Sequence, residues 1–156
     1  MSLRQGLSAR LTFAHMLRRG GNTEQAIDFL QETARKYPAS PLPWLILAEF
    51  WRDLGRTDRG EQACRQAIKV DPEAVQGWYG LGCFQLPNRP EEAMASFRRA
   101  LDLKPDHALA HLNLGLCLKR LGDLSGAEAE LRSALRCRPD LPEARAALEE
   151  VTKKEK

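Results

Sequence analysis

The sequence predicts an all-α protein, a right-handed α-solenoid of antiparallel helix pairs, on three observations. Four prolines, Pro38, Pro72, Pro105 and Pro139, recur at intervals of 34, 33 and 34 residues. Rows of small and large apolar residues keep the same register between those prolines. Ala and Leu are abundant and β-branched residues scarce, the mix that favours helix. At 156 residues the chain is long enough to bury a core. We read it as one domain, 1–156, of four repeats at about 7–40, 41–74, 75–107 and 108–141, closed by a capping helix at about 141–153.

In the first repeat, Leu7, Leu11, Ala14 and Leu17 fall on one helical face. Gly20 is the left-handed C-cap expected where that helix ends, and Asn22–Thr23 the N-cap of the next. The second helix carries Ala26, Leu30 and Thr33 and stops before Pro38. The second repeat has the same parts: Trp44, Leu47 and Ala48, a stop at Gly55, a cap at Thr57, then Gly60, Cys64 and Ala67 before Pro72. Trp78, Leu81 and Gly82 begin the third, which continues through Ala93, Phe97 and Ala100 to Pro105. Its turn, Leu86-Pro87-Asn88-Arg89-Pro90, is one residue short and has no glycine. Pro87 ends the first helix early and Pro90 suits the start of the second, so a distorted turn is expected. The fourth runs from His111, Leu114 and Gly115 through Gly122 and Asp123 to Ala127, Leu131, Ala134 and Pro139.

The closing helix has one apolar stripe, Ala144, Ala147–Leu148 and Val151, backed by Glu143, Arg145, Glu149, Glu150 and Lys153–Lys156. A one-dimensional stack needs such a polar-backed end. The N-terminal end has no comparable cap, so Met16 and its apolar neighbours are expected to be partly exposed, open to self-association or to a longer chain.

Together, Trp44…Leu47-Ala48…Trp51…Gly60…Ala67…Pro72 and His111…Leu114-Gly115…Leu118…Ala127…Leu131…Ala134…Pro139 resemble the tetratricopeptide repeat. The likeness covers about residues 7–141. It implies a protein-interaction scaffold or adaptor whose first helices line a concave groove. Alternatives are a self-associating module that builds homo-oligomers and a regulatory module of a larger multidomain protein.

By that resemblance the groove carries Leu11, His15 and Arg18 from the first repeat and Leu42, Leu45, Glu49 and Arg52 from the second. The third supplies Gln76, Tyr79 and Cys83, and the fourth Leu112, Asn113, Leu116 and Lys119. Leucines on that face that packing does not require point to an apolar peptide or amphipathic helix as occupant. Arg18, Arg52 and Lys119 at the rim would pair with acidic flanks. Some family members grip a C-terminal carboxylate with Lys and Asn; the corresponding places here hold Leu11, His15, Ile46, Gln76 and Gly80, which disfavours that ligand.

Other functions lack their residues. The net charge of +3 is spread among alternating acids and bases, with no basic stripe for nucleic acid. No apolar run approaches the roughly 20 residues of a membrane helix. No G-x-x-x-x-G-K-[ST], H-E-x-x-H or G-x-S-x-G occurs, so no enzyme and no cofactor is expected. Gly77, Gly80 and Gly82 fail as a dinucleotide loop, because the last glycine would fall at Gln85 and no strand precedes it.

Cys64, Cys83, Cys117 and Cys137 form no C-x-x-C pair, and no metal site is expected. His107 and His111 lie four apart, but His111 occupies the row of Trp44 and Trp78 and reads as packing. Small thiols in helical, apolar surroundings fit a reducing compartment and a cytoplasmic protein. A mitochondrial presequence is the alternative, since Arg4, Arg10, Arg18 and Arg19 precede the first acid, Glu24.

Overall fold

The helices of this computed structural model, which describes residues 3–154 and the side chains of residues 5–153, alternate in antiparallel pairs. They are α1 (Leu3–Arg19), α2 (Thr23–Lys36), α3 (Leu42–Asp53), α4 (Thr57–Val70), α5 (Val75–Gln85), α6 (Pro90–Leu103), α7 (Ala108–Arg120), α8 (Leu124–Cys137) and α9 (Pro142–Lys154). Among the described residues there is no strand. The side chains of Arg4 and of Lys154–Lys156, invoked for a presequence and for the polar back of the last helix, lie outside the described residues.

The chain divides into two compact units, Met1–Gly77 and Trp78–Lys156. In the first, α2 packs against both α1 and α3, and α3 against α4. In the second, α7 packs against α6 and α8, and α9 closes on α8 and touches α7. The second-helix rows read from the sequence are buried rows, while Trp44, Trp78 and His111 of the first helices are only half-buried. Ala26, Ala93 and Ala127 are wholly buried, as are Leu30, Phe97 and Leu131, and Thr33, Ala67, Ala100 and Ala134. Small residues at the crossing let two backbones approach until side chains interdigitate at crystal-like density. Thr33 is the one polar member, and its hydroxyl is satisfied: Oγ1 donates to the Phe29 carbonyl at 2.7 Å and accepts from Arg10 Nε at 2.9 Å.

The helix stops are chemically alike. Tyr37, Asp71, Lys104 and Arg138, each just before a repeat proline, donate their N–H to the carbonyl four residues back. Three of the turns within repeats share one motif. Asn22, Arg56 and Asp123 donate to carbonyls five residues back, while Gly21, Gly55 and Gly122 donate three back. This pair of hydrogen bonds needs a left-handed residue just past the C-cap. The glycine that adopts it in the first repeat is Gly21 (φ 83°), one residue beyond the expected Gly20. The reason is register: Gly21, not Gly20, stands 34 residues before Gly55.

The cap chemistry also departs from expectation. Asp123 caps as predicted, accepting from the Gly126 N–H at 2.8 Å. Asn22 makes no side-chain cap bond, and Thr57 lies inside α4, whose N-cap is Arg56. The residue after the left-handed glycine becomes the N-cap whatever its side chain, because the turn has already fixed its backbone.

The third turn is distorted as expected, with no left-handed residue. Its carbonyls are held from elsewhere: Arg120 donates to Leu86 O at 2.8 Å and to Pro87 O at 2.9 Å. Beneath it lies the buried amide of Gln85, which accepts from Ser96 Oγ at 2.7 Å and donates to Glu92 at 3.1 Å. These side chains, with the Asn88 and Arg89 N–H groups that both donate to the Gln85 carbonyl, perform the task of the glycine motif.

Candidate functional site

In the first unit, the start of α1, the α2–α3 loop and the start of α3 enclose a cleft of about 780 Å3. Leu11 and Leu42, both expected on the binding face, meet there with Leu7, Tyr37, Pro38 and Pro41. Leu42 is 46% exposed, a large apolar side chain left in water at the cleft edge. Gly6 makes room on one side: a Cβ there would stand 2.7 Å from the Tyr37 hydroxyl. Lys36 brings a positive charge to the same cleft.

Farther along α1, His15 and Arg18 converge on a residue that the sequence reading did not select. Phe50 is wholly buried; the His15 ring meets it edge-on at 5.6 Å, and the Arg18 guanidinium lies 4.6 Å over its face. The row Met16, Phe50, Phe84, Cys117 was a signal that could have found it. Arg18 also pairs with Asp53 at 3.0 Å, and Arg52 lies 3.8 Å from the same carboxylate. Leu45 is half-buried, and Glu49 and Gln76 are exposed.

In the second unit the structure brings together Tyr79, Cys83 and Asn113. The Asn113 amide donates to Tyr79 Oη at 3.3 Å and to Cys83 Sγ at 3.6 Å. Tyr79 stacks on His107 at 4.8 Å. Leu116 is half-buried against the core. Leu112 departs from the expected exposed strip: it is 6% exposed, within the cluster that holds Ala144, Ala147 and Val151 of α9. That cluster is built from α6, α7, α8 and α9 together. Lys119 is ion-paired with Glu150 of α9. Arg18 and Lys119, expected to receive a partner's acids, thus already hold carboxylates of this chain. Such exposed pairs are worth about 0–1 kcal/mol, so exchange for another carboxylate costs little.

The remaining titratable groups have structural work. His111 lies between Glu130 (2.7 Å) and the Pro105 carbonyl (2.9 Å). Burial pushes the Cys117 thiol up to about 11, with Cys83 adding to it. His107 caps α7, its Nδ1 accepting from the Ala110 N–H at 3.2 Å. Burial and then Lys104 hold its pKa below 6.5, with Arg138 acting the same way and Asp106 opposing.

A prediction follows from His107. The unfolded chain binds this proton more tightly, so the contribution to stability is full above pH 6.5 and is lost as pH falls from there toward the lower folded value. Urea midpoints at about pH 7.5 and about pH 5.5 should fall less in His107→Asn, which keeps a cap acceptor without titrating, than in the wild type. Equal drops in the two proteins would remove His107 from the cause.

These repeated antiparallel helix pairs define a helical-repeat protein, an α-solenoid. Family models described as tetratricopeptide repeat match residues 11–75 and 87–152. The chain belongs to the tetratricopeptide-repeat family. The structure of MamA protein superposes with a TM-score of 0.85 at 17% identity, over 98% of this chain and 84% of that one, which shows the fold. PilW, a widely conserved type IV pilus biogenesis factor, superposes with a TM-score of 0.78 at 30% identity, over 90% and 66%. The aspartyl/asparaginyl beta-hydroxylase of Mus musculus is 27% identical over 146 residues, 86% of this chain. The chain spans only 20% of that protein's length.

Proposed function

We propose that this chain is a protein-interaction scaffold, an adaptor that holds an apolar or amphipathic segment of another protein on its first-helix faces, and that it is not an enzyme. The observation that carries this reading is the cleft where Leu11 and Leu42 meet, with Leu42 46% exposed at its edge. A mostly apolar concavity of several hundred Å3 beside an exposed leucine is the kind of surface that anchors a partner's side chain. The reading assigns no catalytic group: His15 packs on Phe50, and His107 and His111 serve as cap and bridge. On this reading the partner is a protein and not nucleic acid, and the chain is not inserted in a membrane; among the described residues no helix is long and apolar enough to cross one. Four cysteines held as thiols, with Cys137 exposed, support a cytoplasmic setting.

The test is affinity capture from native extract with the wild type, Leu42→Asp, and Leu11→Asp/Leu42→Asp, with helical content followed by circular dichroism. Specific capture by the wild type should fall at least about tenfold in both variants while helicity is unchanged. Undiminished capture by a folded Leu42→Asp variant would sink the reading.

A second reading, self-association, has its own observation. Phe13 and Met16 on α1 are 47% and 62% exposed, whereas their repeat equivalents Leu47 and Phe50 are 1% and 0%. Sedimentation equilibrium separates the two: a mass that rises with concentration, and reverts in Met16→Asp, supports assembly through α1.

A further inference from the structure

We propose a second ligand site in the first unit, a tryptophan-walled cleft that takes an extended segment with prolines three residues apart. In two hairpins a residue of the first helix meets one of the second. In the first repeat Arg10 lies 4.2 Å over Phe29, and in the fourth His111 meets Glu130 at 2.7 Å. The same register positions in the second repeat are Trp44 and Ala63. The fourth repeat has its own cleft of about 450 Å3 at the equivalent place, but Arg98, Asp102 and Glu130 put charges of both signs in its lining. The second-repeat cleft is about 500 Å3, with Trp44 and Trp51 in its wall, Arg59 its one charged residue, and buried Leu47 and Ala63 beneath it.

The lining chooses the ligand. Trp44 and Trp51, both half-buried, stand seven residues apart on α3, about 10.5 Å along a helix at 1.5 Å per residue. Three residues of a polyproline II chain advance about 9.3 Å, so prolines at i and i+3 meet the two indoles. Such a chain has no internal hydrogen bonds, and its carbonyls need donors. Gln31, Gln62 and Gln66 supply amides, and Arg59 is held 4.9 Å over the Trp51 ring. No carboxylate lines the cleft to repel those carbonyls. A helical ligand would leave the amides and guanidinium without purpose, since its backbone is already paired. The site uses a different stripe of α3 from the one bearing Leu42, Leu45 and Glu49, so it stands apart from the proposed scaffold face.

The experiment is calorimetric titration of the full chain with a blocked eight-residue peptide carrying prolines at i and i+3, its Pro→Ala counterpart, and an amphipathic helical peptide. The proline peptide should bind at sub-millimolar concentration and lose at least about tenfold on Pro→Ala exchange. Gln62→Glu/Gln66→Glu, on the exposed rim, should weaken it at least about tenfold, as should Ala63→Phe, while Leu42→Asp leaves it unchanged. If Ala63→Phe fails to fold, the glutamate pair decides alone. No binding at about 1 mM overturns the proposal. So does equal affinity for the Pro→Ala peptide, preference for the helical peptide, or loss in Leu42→Asp with none in the glutamate pair.

Discussion

Phe97→Ala is expected to destabilise the second unit by about 3–5 kcal/mol, the usual cost of emptying a fully buried aromatic site. The ring is wholly buried, tilts against Tyr79 at 5.9 Å, and lies in one cluster with Leu114, Leu118 and Leu131. Collapse cannot refill the space cheaply. Gly82 faces the ring with no side chain to move inward, and the neighbours are themselves fixed in the core. Urea unfolding followed by circular dichroism measures the effect, with Arg99→Ala on the same helix as control. Arg99 makes only an exposed contact with Asp102 at 3.8 Å, and its removal should stay within about 0.5 kcal/mol. A Phe97→Ala loss below about 1 kcal/mol would mean the ring is not packed as described.

The second large effect is a reversal of sign. Gly82 lies in the middle of α5, where alanine ordinarily gains about 1 kcal/mol of helix propensity. Here a Cβ would stand 2.6–2.8 Å from three carbons of the Phe97 ring. Overpacking of that kind costs about 1–3 kcal/mol, and a ring buried on every side cannot yield. Gly82→Ala should therefore destabilise by about 1–2 kcal/mol net. In a Phe97→Leu background the obstructing edge is gone, and the same substitution should become neutral or stabilising. That coupling is read from the double-mutant cycle. An unchanged cost in both backgrounds would place the strain elsewhere.

Much of the fold was legible because each repeat states it again. The proline stops, the small residues at the crossings and the large residues between them are local patterns, and Ala26, Leu30 and Thr33 are buried where the periodicity put them. The misreadings came where two neighbouring residues had equal local claims. Gly20 and Gly21 are both able to turn left-handed, and only the five-residue bond from Asn22 to Leu17 selects the second. Thr57 looked like a cap, yet the turn had already committed Arg56 to that place. Gln85 would pass for a surface amide, and its burial depends on Ser96 and Glu92 from the next helix.

Of the binding face the sequence supplied the residues but not their surroundings. It put Leu42 and Leu112 on the same footing. The structure leaves one 46% exposed and the other 6%, because the second lies in the core cluster that α7 shares with α6, α8 and α9. It offered Arg18 and Lys119 as unspent cations, and each has found a carboxylate on another helix.

The sequence by itself determined the number, order and register of the helices, since helix period, stop signals and small crossing residues act over a few residues along the chain. Only the tertiary structure decided which side chains remain available: whether a leucine stays in water, a charge is already matched, or two tryptophans wall a cleft with no carboxylate in it. Availability depends on what a different helix brings within a few ångströms, and no local pattern encodes that distance.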